Sequence, residues 1–471
     1  MSIHESALLL AALAITLGGC ASGPKGAPTA AKAAAGADDA KLADLSTRWL
    51  DGMLKLGPIG ATSIGEHRYD SEIDDLSQAG RDAKLAFAER MLAELEAIDV
   101  TRLGREAQVD ASILRTRLKR DIWEARVQQD YRWNPLMYNA LAGSAIYDVV
   151  AREFAPAPQR LASVTARLEK LPTLLAQARA NLELARVPKV HAETVIKQNK
   201  GLTSVIDELV LPMAKDLPDA DRQRLDAAIA GYRKAVAEHQ AWLEGTLLPA
   251  AKGDVALGRD LYDQKLALVL GSSLSRDEIK ARAEAEIARV RGEMYDVARK
   301  VLASRAGAPA LPDKPDEAQQ QKAIEAALEL AYADRPARDA VVDTAKQALA
   351  EATAFTRSAN LVTVPSDPVK IIIMPEFQRG VALAYCDSPG PLDKGLDTYY
   401  AISPIPSDWT QEQVDSFLRE YNTRQIHVLT IHEAMPGHYL EGAHSVAHPW
   451  CCGRSSARVP SPRAGRSTPR T

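Results

Sequence analysis

Residues 426–441 read Ile-His-Val-Leu-Thr-Ile-His-Glu-Ala-Met-Pro-Gly-His-Tyr-Leu-Glu, and the rest of the chain is best understood from this stretch. Five of the nine histidines lie in it or just after it. A His-Glu pair followed by a second His is typical of zinc hydrolases, in which neutral imidazoles bind the ion and the adjacent carboxylate activates water. The pattern predicts Zn²⁺ ligands at His432 and His438 and a general base at Glu433.

The spacing of the two histidines departs from the usual His-Glu-x-x-His motif, whose ligands are four residues apart on one helical face. His432 and His438 are six residues apart. Six steps along an ideal helix turn by about 600°, so the two side chains would point in different directions. Because Pro436 cannot donate to the helical ladder and Gly437 tolerates unusual dihedral angles, we expect a kink or bulge that returns His438 toward His432.

The motif His-Glu-Ala-Met-Pro-Gly-His-Tyr-Leu at 432–440 resembles the signature of a bacterial family named domain of unknown function 885 (DUF885), usually grouped with the gluzincin metallopeptidases. Residues 58–67 follow the pattern Pro-x-x-Ala-Thr-x-x-Gly-x-His and resemble the N-terminal hallmark of the same family. The resemblance covers most of residues 41–449. It implies zinc on the two histidines, Glu433 as general base, and a third ligand from a Glu-Gly-Trp-Ala segment that this sequence lacks.

The composition of the 471-residue chain favours a mainly α fold. Apolar residues make up 46% and charged residues 25%, as in ordinary soluble proteins, while aromatic residues are only 5% and alanine is abundant. The net charge of −4 gives no basis for binding nucleic acid. The four cysteines form neither a disulfide framework nor a Cys-x-x-Cys zinc site.

The N-terminal residues indicate export and lipidation. Residues 7–18 form an apolar run that is too short to span a bilayer but suits the core of a signal peptide. The run leads into Leu-Gly-Gly-Cys, which resembles a bacterial lipobox, so we predict a signal peptide at 1–20 and a lipid anchor on Cys20. Residues 21–40 then form a flexible tether. The protein is expected to face the periplasm, although the absence of an early Lys or Arg leaves a plain secreted or cytoplasmic protein as the alternative.

Two regions follow the tether. Residues 41–360 repeat apolar side chains every three or four positions and are predicted to form a large helical domain, with a capping-box pattern at Ser275 and Glu278. Residues 361–449 are predicted to form a partial gluzincin-like catalytic unit, with a small β-sheet ahead of the active-site helix. Its β-type runs are 362–364, 371–374, 381–385 and 398–402. An edge strand of such a sheet can pair with an extended peptide substrate.

The histidines outside the motif have simpler interpretations. We expect His67 to be a hydrogen-bonded structural residue, with a role at the site as the alternative. His444 and His448 are four positions apart, so they can share a helical face and act as substitute ligands, but exposed histidines near a helix end are the simpler interpretation.

Residues 450–471 differ in character from the rest of the chain. They contain five Arg, four Ser and three Pro but no acidic residue and no Ile, Leu, Met, Phe or Tyr, so they cannot build a packed element. One interpretation is a disordered tail, and the other is translation out of frame.

The second interpretation can be checked with the genetic code. When the family-like string Gly-Pro-Phe-Thr-Glu-Gly-Trp-Ala-Val-Tyr-Thr-Glu is written in suitably chosen codons and read one base late, it gives Val-Pro-Ser-Pro-Arg-Ala-Gly-Arg-Ser-Thr-Pro. This is the sequence at 459–469. The codon of Arg463 then overlaps the codon of the third ligand. A guanidinium cannot replace a carboxylate, so this chain is expected to be inactive or nearly so.

These observations favour a zinc-dependent hydrolase of peptides in the cell envelope. The rival from another class is a non-catalytic helical envelope lipoprotein, with a binding or scaffold role and a degenerate metal site. A hydrolase that shares the metal but acts on another substrate, such as an amidase, is the third possibility.

Overall fold

The computed structural model describes residues 36–366, 369–380 and 382–447, which are mainly helical. The helices up to residue 250 are α1 Asp39–Leu56, α2 Pro58–Ser63, α3 Gln78–Glu96, α4 Arg105–Trp123, α5 Pro135–Val150, α6 Ala157–Asn181, α7 Lys189–Lys200, α8 Leu211–Met213, α9 Asp219–Trp242 and α10 Leu248–Ala250. The later helices are α11 Arg259–Leu270, α12 Arg276–Leu302, α13 Glu317–Ala333, α14 Val341–Ser358, α15 Gln411–Glu420, α16 Thr423–Glu433 and α17 His438–Ala447. The strands are β1 Val369–Ile373, β2 Ala384–Asp387 and β3 Thr398–Ile402.

Shorter helical segments extend or connect these elements. The π-helical segments are Glu124–Gln128, Ile206–Val210 and Leu243–Leu247, and the 3-10 helices are Val100–Arg102, Asp130–Arg132, Leu184–Arg186, Ala214–Asp216 and Glu376–Gln378. Within the described ranges no helix is both long and apolar enough to cross a bilayer. Cys20, the predicted signal peptide and the tail at 450–471 lie outside the described residues. Helix α1 begins at Asp39, so the last residues of the predicted tether are helical.

The mainly α fold predicted from the composition is confirmed, and helix starts coincide with capping signals in the sequence. The Ser275 hydroxyl accepts a hydrogen bond from the Glu278 main-chain nitrogen at 3.2 Å, and the Glu278 carboxylate accepts one from the Ser275 nitrogen at 2.9 Å. This is the predicted capping box. Thr410 and Gln413 form an equivalent box at the start of α15. Side chains thus satisfy N–H groups that have no partner within their own helix.

The largest apolar core is formed by α5, α6, α7 and α9 together with the segments that connect them. Helix α6 contributes a continuous stripe from Leu161 to Leu175, whose buried aliphatic residues recur every three or four positions. Burying each such side chain stabilises the fold by about 1.5–3 kcal/mol. A second core is formed by α1, α3 and α4.

A buried arginine ties the segment after α1 to the largest core. The guanidinium of Arg167 on α6 is fully buried and donates to the main-chain oxygens of Pro58 at 3.2 Å, Glu72 at 3.0 Å and Ala145 at 3.0 Å. It also donates to the Thr62 hydroxyl at 2.6 Å. Burial lowers the pKa of Arg167, but a buried charge is tolerated when its N–H groups are hydrogen-bonded. Residues 58–72 are thereby fixed against α5 and α6.

The three-stranded sheet has the order β1–β3–β2, with β1 parallel and β2 antiparallel to β3. Strand β3 coincides with its predicted run at 398–402. The predicted strand at 362–364 is wrong, because these residues are irregular and a β-branched run forms a strand only where a neighbouring strand can pair with it. The run predicted at 381–385 is shifted in the structure to Ala384–Asp387, where the residues pair with β3, and Val381 lies outside the described residues.

The sheet lies between α5 on one face and α14, α15 and α16 on the other. Successive side chains of a strand point to opposite faces. Ala384 and Tyr400 belong to an apolar cluster with residues of α14, α15 and α16. On the opposite face, the Tyr147 hydroxyl of α5 donates to the Asp387 carboxylate at 2.8 Å, and the Tyr399 hydroxyl donates to the main-chain oxygen of Ala151 at 3.2 Å. The sheet therefore connects the α5 region with the helices that carry the histidine motif.

Candidate metal centre

Helix α16 carries the first two residues of the motif and ends immediately after them. It begins after Asn422, whose side-chain oxygen accepts hydrogen bonds from two main-chain N–H groups of the first turn. It ends at Glu433, because Ala434 leaves the helical region with φ −122° and ψ −80°. Pro436 cannot extend the helical hydrogen bonding, and a new helix begins at His438. The predicted irregularity is thus a complete break between two helices.

Gly437 allows the turn to fold back over the end of α16. A Cβ atom at this position would lie 1.9 Å from the carbonyl oxygen of His432 and 2.3 Å from that of Ile431. Both distances are far below van der Waals contact, so only glycine fits. The peptide bond between Met435 and Pro436 is cis.

Apolar side chains on both sides of the break anchor the turn to the protein. Met435, Tyr439 and Leu440 are buried, with 2%, 4% and 3% of their surfaces exposed. They pack together with Leu349 of α14 and Cys386 of β2. The apolar residues of the motif therefore fix the start of α17 against the sheet and α14.

The fold brings the three predicted site residues together. One candidate ligand atom from each of His432, Glu433 and His438 lies within 4.8 Å of the other two. The two imidazole centroids are 4.6 Å apart, with an angle of 79° between the ring planes. In zinc proteins, imidazole nitrogens lie about 2.0–2.1 Å and carboxylate oxygens about 2.0–2.2 Å from the ion. Two imidazoles beside a carboxylate are donor types that zinc accepts, and their proximity fits a zinc ion held by the two histidines.

The protonation of His438 is compatible with metal binding. Its partial burial, and secondarily the nearby His432, lower the pKa of His438, while Glu441 acts in the opposite direction. A lower pKa favours the neutral imidazole, which is the form that binds metal ions. Within residues 36–366, 369–380 and 382–447, His432, Glu433 and His438 form the only group of three or more such side chains with this proximity.

The other histidines of this region have partners away from the cluster. Nδ1 of His427 lies 3.8 Å from the Glu351 carboxylate on α14. Nε2 of His444 lies 3.0 Å from the main-chain oxygen of Thr363. His448, the proposed partner of His444 as a substitute ligand, lies outside the described residues. The structure therefore separates His427 and His444 from the candidate site.

The Glu433 carboxylate is held by the edge strand β2, a contact that the sequence did not predict. The main-chain nitrogen of Cys386 donates to Oε2 of Glu433 at 3.1 Å, and Glu433 is only 8% exposed. Residues along an antiparallel strand direct their main-chain groups alternately toward the paired strand and away from it. Cys386 thus presents its N–H at the outer edge of the sheet, toward α16.

A second contact fixes α16 against the sheet. The Tyr400 hydroxyl on β3 lies 3.3 Å from the hydroxyl oxygen of Thr430, one turn before the His-Glu pair. Burial raises the pKa of Tyr400 to about 12, so the phenol stays protonated at neutral pH. Both contacts connect residues far apart in the sequence, and the motif itself contains no signal for them.

Comparisons with known proteins agree with this architecture. The chain is similar to the structure of "a putative lipoprotein of unknown function from Shewanella oneidensis", with 28% identity and a TM-score of 0.66, over 88% of this chain and 74% of that chain. It shares its fold with "the putative lipoprotein from Colwellia psychrerythraea", with 17% identity and a TM-score of 0.59, over 86% of this chain and 72% of that one.

The family comparison is more specific than the structural likeness. No curated protein is significantly similar to this chain. The family model described as "Bacterial protein of unknown function (DUF885)" matches residues 58–449, which include both the segment after α1 and the histidine motif. The chain belongs to the DUF885 family.

Proposed function

We propose that the protein carries the catalytic site of a zinc-dependent hydrolase that acts on peptides. The observation that carries this proposal is the return of His438 to His432 across the break at 434–437, which places two imidazoles and the Glu433 carboxylate within 4.8 Å of one another. Two histidines and an adjacent glutamate are the residue types with which zinc hydrolases bind the ion and activate water.

Each residue of the cluster has a distinct role in this proposal. His432 and His438 hold the zinc ion, which when bound supplies Lewis acidity toward the scissile carbonyl group. Glu433 accepts a proton from the attacking water and returns it to the leaving amine. Its hydrogen bond from the Cys386 nitrogen supports this role, because a main-chain donor fixes the orientation of the carboxylate.

The position of β2 supports a peptide as the substrate. It is an edge strand in the order β1–β3–β2, and its outer edge adjoins Glu433. An extended peptide that adds to such an edge aligns its main chain with the strand. The scissile bond would then lie beside the Glu433 carboxylate.

Within the described residues the cluster contains His432, Glu433 and His438. Because Glu433 is assigned as the general base, these residues provide two zinc ligands and not the third. If residues 450–471 are translated out of frame, the glutamate of the family-like Glu-Gly-Trp-Ala segment is replaced. Two imidazoles then hold the ion less firmly than three protein ligands. We propose that this chain binds zinc weakly and hydrolyses peptides poorly or not at all.

We further propose that the protein acts in the bacterial cell envelope, anchored by a lipid on Cys20 and facing the periplasm. The description of the Shewanella oneidensis structure, 28% identical to this chain, supports an envelope location. The Leu-Gly-Gly-Cys sequence supplies the lipidation signal.

One observation favours the rival function, a non-catalytic envelope lipoprotein. The two imidazoles are exposed, and within the described residues no further ligand completes their coordination. Zinc binding distinguishes the two proposals, because a degenerate site has no reason to bind the ion with defined stoichiometry.

The experiment measures zinc content after equilibrium dialysis of the full lipidated chain in detergent. We expect one zinc ion per chain at saturating zinc, lost in His432→Ala and in His438→Ala. The matched control is His444→Ala, which removes a nearby histidine that bonds to Thr363 instead and should leave zinc binding unchanged. Absence of zinc from the wild-type chain, or equal binding by His432→Ala, would favour the non-catalytic lipoprotein.

A further inference from the structure

The family segment at 58–67 has no role in the proposed chemistry, yet it contacts the loop that joins β2 to β3, residues 388–397. The Leu392 nitrogen donates to the Ile64 carbonyl oxygen at 2.9 Å. A Cβ atom at Gly65, where φ is +85°, would lie 2.4 Å from the nitrogen of Asp393. Glycine at this position therefore permits both the left-handed backbone and the close approach of the loop.

His67 fastens the centre of the loop. Its Nδ1 lies 2.9 Å from the Asp70 carboxylate and its Nε2 lies 3.1 Å from the Asp393 carboxylate. The ring stacks on Phe154 with centroids 3.6 Å apart and 9° between the planes. Burial alone would lower the pKa of His67, but its hydrogen bonds to Asp393 and Asp70 outweigh burial and raise the pKa to about 9. His67 is therefore an imidazolium at neutral pH, which donates from both nitrogens.

The two ends of the loop are fastened by the C-terminal part of α5 and the residues after it. Arg152 forms an ion pair with the Asp387 carboxylate at 2.9 Å, and the Tyr147 hydroxyl donates to the same carboxylate at 2.8 Å. Arg152 also donates to the main-chain oxygen of Asp397 at 2.9 Å. The loop is thus attached to the helices before its first residue, at its centre and at its end.

We infer that the segment 58–67 positions the candidate general base, with His67 as the residue that connects it to the loop. His67 holds Asp393, the loop holds β2, and β2 presents the Cys386 N–H to Glu433. His67 is a positioning residue in this scheme, because it bonds to neither Glu433 nor the two zinc-ligand histidines. What Glu433 does rests on the proposed function, whereas the physical coupling from His67 to Cys386 does not.

Few hydrogen bonds hold strand β2 in the sheet, so the position of the Cys386 N–H depends on other contacts. Strand β2 has four residues and pairs with β3 along one edge. Short edge strands open locally more readily than central strands, because few hydrogen bonds hold them. A misplacement of about 1 Å in a catalytic group can reduce a reaction rate about a hundredfold. Attachment of the loop to the helices limits such movement.

The test measures amide hydrogen exchange at Cys386 by residue-resolved mass spectrometry on the full chain. His67→Phe keeps a ring to stack on Phe154 but removes both ionic hydrogen bonds, while Asp393→Asn keeps the shape and removes the charge. We expect each variant to raise the exchange rate at Cys386 at least about tenfold, because opening of β2 limits exchange there. The double variant should exchange no faster than the faster single variant, because the contact between His67 and Asp393 is the interaction that both changes weaken.

The control is Tyr399→Phe, which removes a hydrogen bond to Ala151 on the same face of the sheet but keeps the ring beside Arg152. It should leave exchange at Cys386 unchanged, and the amide of Leu168 in the largest core should exchange at wild-type rates in every variant. Unchanged exchange at Cys386 in both His67→Phe and Asp393→Asn would overturn the inference. Equal acceleration at Cys386 and Leu168 would also overturn it, because that result indicates global destabilisation.

The hydrogen-exchange result for the positioning role can be distinguished from the zinc-binding result for the proposed function. Zinc content measured on the same samples should equal that of the wild type, because His67 is not a ligand. Accelerated exchange at Cys386 in a protein that binds no zinc would support the positioning role and refute the hydrolase proposal. Zinc binding together with unchanged exchange at Cys386 would support the hydrolase proposal and refute the positioning role.

Discussion

The main-chain nitrogen of Cys386 lies 3.1 Å from Oε2 of Glu433, and this bond joins the edge strand β2 to the end of α16. Glu433 is 8% exposed, so its carboxylate has lost most of its hydration. Burial of an ionised carboxylate is unfavourable unless hydrogen-bond donors replace the lost water. The orientation of the candidate general base therefore depends on the sheet as well as on its own helix.

Substitutions of Glu433 should show how much its hydrogen bond to Cys386 contributes to the free energy of unfolding, independently of the proposed catalysis. Glu433→Gln keeps a side-chain oxygen that can accept from the Cys386 nitrogen, whereas Glu433→Leu removes this acceptor. We expect Glu433→Leu to be less stable than Glu433→Gln by about 1–3 kcal/mol, as measured by urea denaturation. Equal stability of the two variants would show that the bond to Cys386 contributes nothing to the fold.

Gly437→Ala should separate His432 and His438, the two candidate zinc ligands. Its Cβ would lie 1.9 Å from the His432 carbonyl oxygen, so the turn must open and carry His438 away. We expect the zinc dissociation constant to rise by at least about tenfold, the lower end of the effect of disturbing groups that orient metal ligands. Isothermal titration calorimetry with zinc measures this change.

Gly292→Ala is the matched control for the turn. Gly292 lies within α12, and a Cβ there meets no atom within 4 Å. This substitution should stabilise the protein by about 0.5–1 kcal/mol and leave zinc affinity unchanged. Wild-type zinc affinity in Gly437→Ala would show that the close approach at the turn is not what brings the ligands together.

The DNA that encodes residues 448–471 should contain a change of reading frame. We expect resequencing to reveal a one-base insertion or deletion whose correction yields Thr-Glu-Gly-Trp-Ala in place of Ser-Pro-Arg-Ala-Gly at 461–465. The corrected protein should bind zinc more tightly than this chain, because it regains a carboxylate ligand. A verified sequence in which no frame encodes Glu-Gly-Trp-Ala would contradict this hypothesis.

Local features of the fold could be predicted from the sequence. The capping box at Ser275 and the start of α16 at Thr423 depend on residues within one helical turn. The break between His432 and His438 was also predictable, because proline and glycine act on their own backbone. These features require no knowledge of distant parts of the chain.

The contacts that position the site could not be predicted in this way. Cys386 and Glu433 are 47 residues apart, and His67 and Asp393 are 326 residues apart. Hydrophobic periodicity indicates which face of an element is buried but not which element covers it. The wrong strand at 362–364 has the same cause, because strand formation depends on a paired neighbour that the local sequence does not specify.

The ionic contacts of His67 should make the stability of the protein depend on pH. The pKa of His67 is about 9 in the folded protein, raised from an unperturbed value of 6.5. Because the folded state binds the proton more tightly, the stabilisation is complete below pH 6.5 and is lost as the pH rises through about 9. The shift corresponds to at most about 3 kcal/mol, and partial exposure of the ring reduces the effect.

The measurement compares the free energy of unfolding of the wild type with that of His67→Phe at pH 6, 8 and 10. The charged groups that face His67 are Asp70 and Glu66 on its own segment, Asp393 on the loop, and Arg160 behind Phe154. All of them are present in both proteins, so their own titrations largely cancel in the difference. We expect the wild type to be the more stable protein at pH 6 and to lose most of that advantage by pH 10. An advantage that stays constant across this range would show that packing on Phe154, and not the imidazolium between two carboxylates, accounts for the contribution of His67.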